Sequence, residues 1–477
     1  MLKHVLGSAL GALLAANTVA CGGATRGIRP PLSGPNSPPT APTGRSGETA
    51  HARSVEAFRD HRVTLEQLLA FADNHAPAVA TAQQRLRLGD AEVEAASPLL
   101  AENPEVTGAL GFRTTDGGSG VDFEVGASQA IPISGERAAR IRAAQATRRA
   151  LAADLECERW RVHQQIRREY RLALVDREQR KLADAALEYA ERLHIIAERR
   201  LQAGEISPMP VLLAESEVAR ARDRQIAAAD ALDERRMRLA ALSGWPVSAE
   251  PPDPVGPLPT SEQLPPLRDV LSAARNRHRQ RAALTARVEA KEAAIVAADR
   301  GAWPSPSVGA GFAQEAEPGA SRPARIWRVR VSVPLPLWQR NRGERARTLA
   351  AARLAHAELT AYDRMLEVEL RALHQQARAA ARRLRVYGEL ALPKLSESLS
   401  LSQRAFEVGE TSLLDVLAAG GRLLGTRQKA LSVRAEYAEL IAALELAAGT
   451  ELSTVARSRT PRASVSPASD EAGEMSQ

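Results

Sequence analysis

The sequence predicts a mainly α-helical chain of very long helices with a small β part of four short strands. Two long runs rich in Ala, Arg and Glu, residues 136–203 and 344–408, carry no turn punctuation. Four short segments alternate apolar and polar residues. The whole pattern then occurs twice at nearly constant offset.

The elements follow in chain order. Lys3 and His4 precede an apolar run from Val5 to about Ala16, which reads as a secretory signal over residues 1–20. That run is too short to span a bilayer, and no later stretch without charges approaches the necessary length. Cys21 follows a small residue at the end of the run, as at a lipidation site; an ordinary signal with an incidental cysteine is the other reading. Residues 21–60 are rich in Gly, Pro, Ser and Thr and read as a tether. The first repeat spans 61–246, with a helix, strands at 105–113 and 121–131, a long helix and a shorter one. A Pro-rich linker, 247–266, leads to the second repeat, 267–452, with strands at 306–314 and 326–335. A polar tail, 453–477, reads as disordered.

The repeat is legible residue by residue. An offset of 205 pairs Arg199 with Arg404, Gly204 with Gly409, Glu205 with Glu410, Ser207 with Ser412 and Gly244 with Gly449. Upstream, Gly135-Glu136-Arg137-Ala138 matches Gly343-Glu344-Arg345-Ala346.

In the strands, Val106, Leu110 and Phe112 alternate with Thr107, Ala109 and Arg113, and Val121, Phe123 and Val125 with Asp122 and Glu124. The second repeat alternates Val329, Val331 and Val333 with Arg328, Arg330 and Ser332. Segments of about ten residues with this period suit a membrane barrel, although a half-buried soluble hairpin alternates too. Six of the sixteen aromatics, Phe112, Phe123, Trp303, Phe312, Trp327 and Trp338, lie in or beside the strands, where interfacial girdles belong. The valines are expected to face lipid and the charged residues a lumen.

Leu182, Ala186, Tyr189, Leu193 and Ile196 step by four and three, a coiled-coil seam. Gly388 and Pro393 predict a kink in the second long helix. Gly204 and Gly409 sit where a left-handed cap turns the chain back.

Composition narrows the function. Lys and Arg number 64 against 57 Asp and Glu, a net charge of +7. The arginines interleave with acids along helical stretches, which marks solvated faces rather than a nucleic-acid surface. There is no phosphate loop, nucleophile elbow or zinc motif, so nothing points to an enzyme or a bound cofactor. His356 and His374 lie too far apart to share an ion, and Cys157 reads as a packed thiol.

The segments QAIPISGERAARIRAA (129–144), VSVPLPLWQRNRGERAR (331–347) and YGELALPKLSESLSLSQRAFEVGETSLLDVLAAGGRLL (387–424) resemble the TolC-type outer-membrane efflux family. The PLPLWQRNRGE and SGERAAR forms are most similar to its CzcC-like heavy-metal and cation subgroup. The resemblance implies a homotrimer whose chains each give four membrane strands to a twelve-stranded barrel and long helices to an α-helical barrel; four strands alone close nothing. It implies an outer-membrane, lipid-anchored duct with its helices in the periplasm, an adaptor and an inner-membrane pump of RND type. The adaptor would meet the tips at Gly204, Glu205, Ser207, Gly409, Glu410, Thr411 and Ser412. The family's aperture carboxylate falls on Asp415 and its second one on Ala418; Asp415 reads equally well as a first-turn helix carboxylate. The competing class is a lipid-anchored periplasmic adaptor or coiled-coil scaffold, which would carry one helical hairpin in a β-rich domain rather than two of each.

Overall fold

The computed structural model describes residues 61–100, 102–115, 118–258, 264–316, 322–338 and 340–457. The signal, the tether and Cys21 lie outside them. Helices α1 (Leu65–His75) and α2 (Pro77–Ala96) lead into strands β1 (Glu105–Thr115) and β2 (Gly118–Ala130). Helix α3 (Glu136–Gln202) runs unbroken for 67 residues, about 100 Å at 1.5 Å per residue, and α4 (Pro208–Ser243) returns along it. The second half repeats the order with α5 (Leu267–Arg277), α6 (Arg279–Arg300), β3 (Ser307–Glu315), β4 (Ala324–Ser332), α7 (Arg342–Arg385), α8 (Leu392–Glu407) and α9 (Leu413–Ala448), closed by α10 (Leu452–Arg457).

Several details depart from the sequence reading. Strand β4 stops at Ser332, short of residue 335, because Pro334 and Pro336 offer no N–H to a ladder. The tail begins as helix α10 rather than as disorder. Within the linker, Asp253 and Pro254 pair in parallel with Arg62 and Val63, and the buried Tyr170 hydroxyl lies 2.9 Å from the Val63 carbonyl oxygen. At the place where a kink is expected in the second long helix, residues Val386–Ala391 form a π-turn between α7 and α8, directly before Pro393, which has no N–H for the helical ladder. The left-handed residue before α7 is Asn341, φ 53°, not the aligned Gly343; Gly135 at φ 72° does the same before α3. Asparagine tolerates this region better than most residues.

The four strands form one antiparallel sheet in the order β1-β2-β3-β4. Leu110 faces Phe123, Val125 faces Phe312 and Phe312 faces Trp327 on one side; Ala109 faces Glu124 and Gly311 faces Arg328 on the other. Close to the sheet the helices lie in a row α2, α3, α6, α7, and farther along α4, α3, α9 and then α7 with α8. Two cores form in corresponding places. Leu68, Phe71, Ile166, Leu239 and Trp245 build the first, and Val270, Leu366, Leu370, Leu444 and Leu452 the second. In both, a left-handed glycine closes the returning helix against the first helix pair of its own half. A Cβ on Gly244 would stand 2.0 Å from the His75 carbonyl oxygen, and one on Gly449 2.9 Å from His278 Cα. The α3 seam is Ala183, Ala186, Ala190, Leu193 and Ala197, steps of three and four, with Ile196 exposed. Ala183, Ala190 and Ala197 thus take the places expected for Leu182, Tyr189 and Ile196, of which the first two are half-buried.

Candidate functional site: the sheet and the turn end

The sheet is inside out for a soluble protein. Leu110 is 79% exposed, Phe112 87%, Trp327 82% and Val329 81%, while Asp122 and Glu124 on the other face are only partly exposed. Along the apolar face the one charged residue among the four strands is Arg325, next to the β3–β4 connection. Just inside that rim Phe123, Phe312 and Trp327 stack in a tilted row, with centroids 6.0 and 5.1 Å apart. Beyond the other end of the sheet, Trp303, Leu335, Leu337 and Trp338 stand exposed. An apolar band between two aromatic rows is what a bilayer requires of a strand surface. No helix among the described residues is long and apolar enough to cross a membrane.

The helical turns at the far end are built alike. Glu205 N–H donates to the Arg200 carbonyl at 2.9 Å, and Glu410 N–H to the Ala405 carbonyl at 2.8 Å, each a six-residue closure at a helix C-terminus. Gly204 and Gly409 have φ of 73° and 79°, with nothing within 4 Å of a Cβ built on either. Backbone conformation therefore selects glycine there, not space. The two turns pack together: Leu193, Ala197, Ala214, Phe406 and Val416 form one buried cluster, and the Arg200 guanidinium sits 4.0 Å over the Phe406 ring. Glu205, Ser207, Glu410 and Ser412 remain exposed, and Thr411 half-buried. Beside the turns, α4 and α9 flank a groove of about 720 Å³ floored by Ala183, Ala186 and Ala190.

The turns differ at the next helix start. Ser207 makes no side-chain cap, and Pro208 opens α4. Ser412 caps α9: its Oγ accepts from Asp415 N–H at 3.3 Å, while Asp415 Oδ2 accepts from Ser412 N–H at 3.2 Å, Ser412 Oγ at 2.7 Å and Thr411 Oγ1 at 2.9 Å. The Ser412 and Thr411 hydroxyls, more than any charge, hold the Asp415 carboxyl below its usual range. Asp415 is thus a first-turn helix residue in the single chain, exposed at the turn end. This reciprocal cap was signalled by Ser412 and an acid three residues on.

The remaining candidates are tied locally. The Cys157 thiol lies against Gln280 and burial pushes it up. His356 meets Glu292 at 2.9 Å and His374 the Pro265 carbonyl at 2.9 Å. Among the described residues no three metal-ligating side chains converge.

Residues 68–245 and 270–450, one stretch in each half, match the family described as outer membrane efflux protein. The cobalt-zinc-cadmium resistance protein CzcC of Cupriavidus metallidurans is 29% identical over 308 residues, 64% of this chain and 71% of that protein. The outer membrane protein VceC of Vibrio cholerae superposes with a TM-score of 0.63 at 18% identity, covering 81% of this chain and 96% of VceC. The Campylobacter jejuni CmeC outer membrane channel does so with a TM-score of 0.66 at 14% identity, covering 83% and 88%. With the inside-out sheet, the paired helical turns and both halves matched, the chain belongs to the outer membrane efflux protein family.

Proposed function

We propose that this outer membrane efflux channel works as a passive exit duct made of three copies. The inside-out sheet carries the reading. Its apolar face suits lipid, and β1 and β4 are free edges that four strands cannot join to each other. Three sheets joined edge to edge close a twelve-stranded barrel. The helix row favours the same head-to-tail assembly. It ends in α4, where Leu212, Ile226 and Met237 are exposed, and in α7, the π-turn and α8, where Leu354, Met365, Val368, Val386, Leu390 and Leu401 are exposed. The steps of 14 and 11 on α4, and of 11 and 3 on α7, fall near whole helical turns, which lays each set along one helix face as a seam awaiting a helix.

In this arrangement the long helices form a periplasmic tunnel, and the turns at Gly204 and Gly409 meet a periplasmic adaptor coupled to an inner-membrane pump of RND type. Asp415, near the turn end, would approach its two copies at the aperture. Heavy-metal cations are the favoured cargo, on the likeness to a cobalt-zinc-cadmium resistance protein, with small molecules next. Acylation of Cys21 adds an anchor to a barrel that already holds the membrane.

The sheet reading is tested by fluorophores attached through cysteine at Val329 and at Ser332, which lie on opposite faces, in protein reconstituted with brominated phospholipid. Quenching at Val329 and not at Ser332 is expected. Equal quenching at both sites contradicts a lipid face.

A further inference from the structure

The polar face of the sheet holds a feature that the duct reading leaves unused. Six charged side chains form one alternating chain across all four strands. Asp122 on β2 meets Arg113 on β1 at 3.0 Å, and Arg113 continues to Glu315 on β3 at 3.0 Å. Glu315 also holds Arg328 on β4, which reaches Glu124 on β2 at 2.9 Å, and Glu124 takes Arg330 on β4 at 3.0 Å. The two inner carboxylates thus each bridge two arginines, and three positive charges meet three negative ones. Outside this network the face bears one more charge, Glu105 at the start of β1.

Arg328 and Arg330 reach Glu124 only by crossing β3. The residues opposite them on β3 are Gly311 and Gly309, and opposite those on β2 are Gly126 and Ser128. A Cβ on Gly311 would stand 3.2 Å from the Val125 carbonyl oxygen and 3.9 Å from Glu124 Oε1. One on Gly309 would stand 2.7 Å from the Ala127 carbonyl oxygen. The glycines therefore leave a shallow trough in the strand surface, bordered by Glu124, Arg328 and Arg330. Glycine weakens a strand interior and is kept where something must pass close over the backbone. Here what passes is a pair of guanidinium groups.

We propose that this ion-pair chain is a charge-compensated lining of the exit pore, in which Glu124 holds Arg328 and Arg330 flat over a glycine floor and keeps the pore indifferent to the sign of its cargo. The proposal rests on the reading of the polar face as pore wall. Within it Glu124 is a positioning residue that sets specificity: freed guanidiniums would project into the lumen, three Arg330 copies without a carboxylate partner, and trap anions. The lining also lies toward the β1–β2 and β3–β4 connections, so it acts at the end of the path farthest from the helical turns.

The experiment is side-specific block of the purified protein in planar bilayers, with inositol hexakisphosphate added on the side of the strand connections. The blocker reaches the lining without crossing the helical aperture. At about 0.05 M salt, where screening is weak, the wild-type pore should be insensitive. Glu124→Gln should lower the blocking concentration at least tenfold, an effect of about 1.4 kcal/mol, and about 1 M salt should abolish it. Glu124→Gln combined with Arg330→Gln should restore insensitivity. So should the exchange Glu124→Arg with Arg330→Glu, which keeps the composition of the lining. A wild-type pore blocked as readily as the variant overturns the compensation, with no variant needed; so does a Glu124→Gln pore no more sensitive than wild type. Quenching by brominated lipid of a fluorophore at Ser332, on the polar face, removes instead the underlying reading of the sheet as pore wall.

Discussion

The two halves of the chain share a backbone plan and hold it by different means. In the first half, α3 is continuous and the core adds an ionic triad: Arg235 meets Glu169 at 2.8 Å and Asp176 at 2.9 Å, with both carboxylates buried. The second half has a smaller core, a π-turn within its long helix and a reciprocal cap at its turn. What does not vary is the left-handed glycine at each turn and at each helix end, Gly204 and Gly409, Gly244 and Gly449. The comparison teaches that backbone geometry is the specification common to both halves, and that ion pairs and caps are local solutions.

Arg235→Leu should break the first half most severely. Removing the cation strands two buried carboxylates, which costs about 3–5 kcal/mol; thermal unfolding should show it, and no single exchange in the second half's smaller core should match it through charge. Within the sheet the distinction between halves should vanish. Val125→Arg and Val329→Arg, one from each half, should each destabilise the inserted protein by about 2–4 kcal/mol near the bilayer midplane, while Ser332→Arg on the polar face is tolerated. Unequal cost at Val125 and Val329 would mean that the two strand pairs do not share one membrane surface.

The turns give the smallest effect and the sharpest contrast. Ser412→Ala removes a cap and should cost about 1 kcal/mol, whereas Ser207→Ala should change almost nothing, as read by hydrogen exchange in the first turns of α9 and α4. Asp415 adds a pH dependence whose sign is fixed. Its folded pKa is lowered, so its contribution is present above the ordinary carboxylate range and is lost as pH falls through the lowered value. If three copies converge at an aperture, their mutual repulsion raises that pKa instead. Titration of Asp415 in the assembled protein, followed by NMR of a selectively labelled sample, distinguishes the cap from the ring by the direction of the shift.

Much of this fold is legible in the sequence because it is written in short-range periodicity. Alternation places Val329 and Arg328 on opposite faces, and the offset of 205 alone locates both helical turns. Long-range order is not legible in the same way. Glu124 and Arg328 lie 204 residues apart, and only the pairing of β2 with β3 and β3 with β4 brings them together. Like-face charges of opposite sign on separate strands are the available signal. The α3 seam is misjudged at three of its five positions, Leu182, Tyr189 and Ile196 for Ala183, Ala190 and Ala197, because an alanine-rich helix offers no broad apolar stripe to fix its rotation. The left-handed role of Asn341 is hidden by the neighbouring glycine in an otherwise faithful repeat.

In the proposed assembly the exposed strand face and the open sheet edges are completed by lipid and by two further copies. Native mass spectrometry of the protein extracted in mild detergent from salt-washed outer membranes tests it most directly. The prediction is a species of three chains that stays with the membrane through the salt wash and keeps its stoichiometry after extraction. A single chain released by salt would contradict the claim.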